Sequence, residues 1–302
     1  MANTAVSTGA STRPNYGSMS RDRTWALRWS YFFLVLFAIF FLMPPIYMLI
    51  TSLKTSAEIS AAKNPWFISN PTLQNYMDLL SQNQFLVFFR NSAIVSICVV
   101  ILTMLISVIA AFALARMKFW GSATLATGVF LTYLIPETLL FIPLFKMFAW
   151  VNETFGIQLM NHWWTMIILY PTLTVPFATW IMIGYFASIP KELDEAAIMD
   201  GASYMQVLTR IFIPVALPGI IAATIFAFTV SWAAFVYPTA FITTPSEMPL
   251  TIGVVSQLIR GDTFAWGQLM AGALLAALPP VIVYVFLMDY YIAGLTAGAT
   301  KG

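Results

Sequence analysis

Six long apolar runs, separated by polar or proline-marked connections, organise the chain: about 29–50, 91–113, 123–148, 164–187, 214–237 and 268–290. Each is near the roughly 20 residues that a helix needs to cross a hydrocarbon core about 30 Å thick. Prolines punctuate them: Pro44 and Pro45 late in the first, Pro136 and Pro143 in the third, Pro171 and Pro176 in the fourth. Such breaks are tolerated in membrane helices, because neighbouring helices re-satisfy the freed backbone groups. Residues 1–24 read as a flexible tail, 25–293 as one transmembrane domain and 294–302 as a second tail. Between the spans, 51–89 and 238–267 read as polar connections. The predicted fold class is an all-α polytopic membrane protein with six transmembrane helices.

Composition narrows the picture further. Of 302 residues, 60% are hydrophobic and 9% charged, so too few charges exist to cover a soluble globule or sustain a disordered chain. The single cysteine, Cys98, excludes a disulfide framework, and the single histidine, His162, argues against a Cys/His metal site. A net charge of +2 gives no nucleic-acid footprint. Its distribution is more informative. With an inside N-terminus, Arg13, Arg21, Arg23, Arg28, Arg116, Lys118, Lys191, Arg210 and Lys301 fall on the inner side. Lys54, Lys63, Arg90, Lys146 and Arg260 fall outside, a ratio of nine to five that places both termini in the cytoplasm. No secretory leader is expected before the first run, which starts too late and is too long for one.

The segment 188–213 cannot lie in lipid. Glu192, Asp194, Glu195 and Asp200 fall within nine positions, and each carboxylate would cost about 3 kcal/mol at a membrane centre. Ser188, Pro190 and Glu192 predict a helix start. Leu193, Ala196, Ala197 and Asp200 recur at helical spacing, Gly201 ends the helix, and Ser203 with Gln206 forms a capping box for a second one. Two short helices joined at Gly201 therefore project from the membrane, and the paired alanines leave a low surface for another protein. The competing reading is a solvated connector.

The spacing decides between them. Glu195-Ala196-Ala197, Gly201 four residues after Ala197, Ile211 and Pro214 resemble the EAA loop of ABC importer permeases, with Ile213 where that pattern has leucine. Ser52-Leu53-Lys54 with Glu58, Asn75-Tyr76, Asn91-Ser92 and the ending from Gly294 to Gly302 resemble sugar-transporting permeases of the MalG type, so the likeness covers about 27–302. The resemblance implies a type I importer permease of the bacterial inner membrane. It implies a second permease subunit, two cytoplasmic ATPase subunits and an extracytoplasmic solute-binding protein as partners, with a sugar-type substrate. It also implies ATPase docking through Glu195, Ala196, Ala197, Asp200 and Gly201. No cofactor is expected in this chain. It contains no G-x-x-x-x-G-K-[ST] loop, so ATP and magnesium belong to the ATPase partners and the chain is not itself an enzyme.

Candidates for the substrate path are Glu137, Trp180, Trp232 and Tyr237. Aromatic faces can stack on sugars, although Trp and Tyr also belong at membrane interfaces. Where many relatives carry polar residues after the tryptophan, this chain has Ala233-Ala234. Glu137 follows Pro136 deep in the third run, where relatives often carry glutamine, and a carboxyl there should face the bundle interior or a water-filled path. Thr244, Pro245, Ser246 and Glu247, in a proline-stiffened loop, are candidates for contact with the binding protein. His162 reads as interfacial and the sixteen methionines as packing material. An ion-coupled secondary transporter is the alternative, but Glu137 has no evident cationic partner and no inverted repeat is visible. A membrane enzyme would need a convergent polar cluster, and none is seen.

Overall fold

The computed structural model describes residues 16–61, 64–82, 84–117, 119–260 and 263–299. Residues 1–15 and 300–302 of the two expected tails, and Arg13, Lys63, Lys118 and Lys301 of the charge count, lie outside the described residues. The helices run in the order α1 (Tyr16–Ser52), α2 (Ser56–Ala61), α3 (Gln74–Gln82), α4 (Phe85–Arg116), α5 (Ser122–Tyr133), α6 (Glu137–Phe155), α7 (Thr165–Leu169) and α8 (Pro171–Ser188). They continue as α9 (Lys191–Met199), α10 (Tyr204–Val207), α11 (Ile213–Val215), α12 (Leu217–Ala233), α13 (Val236–Phe241), α14 (Leu250–Leu258) and α15 (Trp266–Ala299). Two two-residue strands, β1 (Ile259–Arg260) and β2 (Thr263–Phe264), pair antiparallel between α14 and α15.

Among the described residues, five helices or helix pairs are long and apolar enough to cross a membrane, and α5 with α6 makes a sixth as a bent pair. The chain divides into two units, 1–48 and 49–302. The first holds most of α1, which starts at Tyr16, inside the stretch read as a tail. Its apolar side chains are exposed, Phe40 and Phe41 among them.

In the second unit the centre is the contact between α4 and α8. Ser92, Ser96, Thr103 and Ser107 recur on one face of α4 at helical spacing, and all are buried. Small polar residues on a membrane helix let two backbones approach and supply interhelical hydrogen bonds. Here the hydroxyls of Thr103 and Thr174 are 2.6 Å apart, and Ser107 donates to the Val175 carbonyl at 3.3 Å. At the end of α8 nearest α9, Phe112, Phe186 and Phe212 pack edge to face at 5.1–6.3 Å.

The third span is where the structure adds most to the sequence pattern. Its two halves meet at 96°, so it is a broken pair and not one rod. Pro136 causes this: it has no N–H to donate and disfavours helical geometry at the residue before it. Pro136 instead caps a new helix with ψ 132°, and Glu137 occupies the first turn. Pro143, by contrast, is accommodated inside α6.

The connection 238–267, read as a polar loop, is largely structured and partly buried. Within it α14 buries Leu250, Ile252, Val254 and Leu258. Gly253 makes the seat possible, since a Cβ there would lie 2.5 Å from the ring of Phe88 on α4. The polar stretch after α1 is also ordered by specific bonds. The Asn75 amide donates to the carbonyls of Ser52 (2.9 Å) and Lys54 (2.8 Å), and the Tyr76 and Ser52 hydroxyls are 2.8 Å apart. The buried Lys54 ammonium donates to the carbonyls of Asn64 and Pro65, and Glu58 accepts from the Ser69 amide at 2.8 Å. The residues that carried the family resemblance in this region thus form one cluster that pins the connection in place.

Candidate functional site

The 188–213 segment folds as a helix hairpin. Pro190, with φ −55° and ψ 138°, is the cap of α9, and Glu192 and Asp194 lie in the first turn, where the helix dipole favours carboxylates. Ser188 was expected to cap this helix. Instead it ends α8, with its hydroxyl donating to the Tyr185 carbonyl, because Pro190 fixes the start of α9 two residues later. At the other end Gly201 adopts φ +86°. The Gly201 amide donates to the Ile198 carbonyl at 3.0 Å and the Ala202 amide to the Ala197 carbonyl at 2.9 Å. This is the paired closure of a helix on a left-handed residue, for which glycine has no side-chain penalty. Ser203 then accepts from the Gln206 amide while the Gln206 side chain accepts from the Ser203 amide, the capping box expected from the spacing. After α10 the chain makes a π-helical turn, Leu208–Phe212, and passes through α11 into α12.

The two alanines divide their roles. Ala197 packs against the cluster around Phe112 and Phe212, whereas Glu195, Ala196, Asp200 and Gly201 are exposed. One participant escaped the sequence reading. Arg116, counted there only as a topological charge, reaches into the base of this hairpin and pairs with Asp194 at 3.8 Å.

At the opposite end of the bundle, Thr244, Pro245, Ser246 and Glu247 form a short 3₁₀ turn. Asn161 holds it, from a backbone with φ 64°. Its side-chain oxygen accepts from the Thr243 and Thr244 amides at 2.9 and 2.8 Å, and its nitrogen donates to the Thr244 hydroxyl at 2.7 Å. From α4, Asn91 donates to the carbonyls of Ser246 and Met248, and Ser92 accepts from the Leu250 amide. Glu247 accepts from the Trp163 amide at 3.3 Å and lies 3.5 Å from Nδ1 of His162, which stacks on Trp164. Asn161→Ala removes its three bonds to Thr243 and Thr244 at once, and since the Thr243 amide is exposed and that of Thr244 half-buried, each costs about 0.5–1.5 kcal/mol. Hydrogen–deuterium exchange should then rise across 243–248 while the exchange of α4 and α8 is unchanged.

The four substrate-path candidates do not converge. Trp232 is 6% exposed, packed between Phe89 and Phe228, with Nε1 donating to the Ala276 carbonyl at 2.9 Å. Its faces are taken by packing, so it joins α12 to α15. Trp180 is half exposed and stacks with Phe130 (4.9 Å) and Phe177 (5.9 Å), in a run of rings continued by Tyr133 and Phe226. Tyr237 is buried, and the side chain that faces its hydroxyl is Thr172. Glu137 is half-buried at the start of α6, within electrostatic reach of both Tyr170 and Tyr237. A separate cavity of about 500 Å³ lies between α8, α12 and α15, lined by Phe177, Tyr185, Phe226, Thr229 and Tyr284 among others. Among the described residues, no group of three His, Cys, Asp or Glu side chains is placed to hold a metal ion.

Apolar helices around a small-residue α4–α8 contact, with a capped hairpin between α8 and α12, define a polytopic membrane protein. The comparisons with known proteins agree. Residues 103–296 match the family described as "Binding-protein-dependent transport system inner membrane component". The chain is 34% identical over 86% of its length to the sulfoquinovosyl glycerol transport system permease protein SmoH of Agrobacterium fabrum, covering 89% of that protein. It is 32% identical to the inner membrane ABC transporter permease protein YcjP of Escherichia coli, over 89% of this chain and 94% of that one. It is 31% identical to the trehalose/maltose transport system permease protein MalG of Thermococcus litoralis, again over 89% and 94%. A crystal structure of a bacterial ABC transporter involved in the import of the acidic polysaccharide alginate shares the fold, with TM-score 0.76 at 20% identity over 90% of this chain and 98% of the other. The chain belongs to the family of binding-protein-dependent transport system inner membrane components and is an importer permease.

Proposed function

We propose that this chain is the permease subunit of an ATP-driven importer for a sugar or a sugar-derived solute. The observation that carries the coupling half of this reading is the α9–α10 hairpin. Its joint at Gly201 is closed by local hydrogen bonds on both sides, and it presents Glu195, Ala196 and Asp200 outward. A rigid, low-profile helix outside the bundle suits docking into an ATPase groove, and closure of two ATPase subunits would move it as a lever. The membrane helices would pass that motion on as alternating access. ATP and magnesium would be bound by those subunits, and a second permease would complete the pathway.

The substrate class is supported by the relatives, among them permeases named for sulfoquinovosyl glycerol and for trehalose and maltose. The positive-charge asymmetry supports a cytoplasmic hairpin, with the 244–247 turn on the outer side, where the binding protein would meet Thr244, Pro245, Ser246 and Glu247. Glu137, within electrostatic reach of Tyr170 and Tyr237, is assigned to the substrate path, since a carboxylate there can accept hydrogen bonds from solute hydroxyls. Trp180, half exposed, is the aromatic residue of the same assignment.

The test is reconstitution. The tagged chain should co-purify with an ATPase, and in proteoliposomes hydrolysis should rise several-fold when a sugar-loaded binding protein is added. Solute uptake that runs on a proton gradient without ATP would overturn this reading.

A further inference from the structure

Arg116 is the last residue of α4, and its side chain is 4% exposed. Its guanidinium meets all three parts of the hairpin's base. One Nη donates to the Ile189 carbonyl, in the link between α8 and α9. The other lies 3.8 Å from Oδ1 of Asp194, in the first turn of α9. The Cζ atom sits 4.7 Å above the ring of Phe212, at the end of the π-helical turn. That ring in turn packs on Phe112 of α4 and Phe186 of α8. A lysine could satisfy one of these partners at a time, whereas a planar fork with an aromatic-compatible face serves all three.

Around this contact the packing is open. A cavity of about 580 Å³ lies between the end of α4 and the hairpin, lined by Ala115, Lys191, Asp194, Glu195, Ile198 and Tyr204 together with Arg116. Nε of Arg116 and Oδ1 of Asp194 are buried without hydrogen-bond partners. The ion pair is thus close but not locked, and a buried pair of this kind is weak as a source of stability.

We propose that Arg116 is a positioning residue for coupling, the joint through which displacement of the α9–α10 hairpin is delivered to α4, and through α4 to α8. This rests on the reading of the hairpin as the ATPase-docking element. The entry, body and exit of the hairpin are gathered on one side chain at the tip of the helix that forms the centre of the bundle. A push on α9 therefore reaches α4 directly, as well as through the chain ends that join α8 and α12.

Arg116→Met alone would leave Asp194 buried without its cation. The decisive variant is the double substitution Arg116→Met with Asp194→Leu, which removes both charges together. It is studied in the full complex with its ATPase and binding protein. The expected result is an assembled complex with unchanged basal ATP hydrolysis and about a tenfold loss of binding-protein-stimulated hydrolysis and transport, a usual size for a coupling free energy. Cross-linking from Ala196→Cys to the ATPase should persist in the same background. Wild-type stimulation in the double variant, with cross-linking intact, overturns the role of Arg116 alone. Failure of the double variant to assemble marks Arg116 as structural and also overturns it. If Ala196→Cys fails to cross-link in the otherwise unchanged chain, the docking reading falls, and the proposal with it.

Discussion

Gly201→Val is expected to leave the chain inserted and assembled but to reduce transport and stimulated ATP hydrolysis by at least about tenfold, the scale of one lost coupling energy. The reason is backbone conformation and not space. A Cβ at Gly201 would meet nothing within 4 Å, so no clash accompanies the substitution. The φ of +86° is the constraint, and left-handed geometry costs an L-residue roughly 1–2 kcal/mol, more with a branched Cβ. Valine relieves that strain by opening the turn, which breaks the bonds from the Gly201 and Ala202 amides and changes the angle between α9 and α10. Gly201→Asn, which tolerates the left-handed region, should keep most activity. Measuring transport and stimulated hydrolysis for the two variants separates conformation from side-chain bulk. Normal values for valine would sink the rigid-lever account.

The hairpin was legible in the sequence because its determinants are local. A glycine that ends one helix, and a serine three residues before a glutamine that starts the next, act over four or five positions and need no knowledge of the rest of the chain. Ser188 failed on the same scale, because Pro190 competes for the same helix start and wins. Features set by distant partners were not legible. Asn161 carries no signal in the sequence and Asn91 is marked there only by resemblance, yet they hold a turn about 80 and 155 residues away. The nine residues of α14 are too short for periodicity to establish, and they bury their apolar side only because Phe88 and Ser92 wait on α4. Trp232 illustrates the same limit: an indole suited to stacking on sugar is indistinguishable in sequence from one that pins two helices together. Pro136 was visible as a break, but the size of the bend depends on the packing of α5 and α6 and could not be read from the proline alone.

Glu137 changes meaning once that bend is known. In one continuous span the carboxyl would sit in mid-membrane, at about 2.5–3.5 kcal/mol on insertion scales. In the structure it occupies the first turn of a new helix, where the dipole favours negative charge, and it is half-buried. Among the described residues it makes no hydrogen bond or ion pair, so its acceptor capacity is unspent, and it lies within electrostatic reach of Tyr170 and Tyr237. If Glu137 accepts hydrogen bonds from solute hydroxyls, Glu137→Leu removes a charged hydrogen bond worth about 1.5–3 kcal/mol, equivalent to roughly a 10- to 100-fold loss of transport. Expression, assembly and basal ATP hydrolysis should hold. Glu137→Gln keeps size and an acceptor but not the charge, and should retain an intermediate rate. A structural carboxyl behaves differently, because leucine at the first turn of α6 would then lower assembly and transport in parallel. Quantifying complex yield alongside uptake for both variants distinguishes the two, and a parallel fall removes Glu137 from the substrate path.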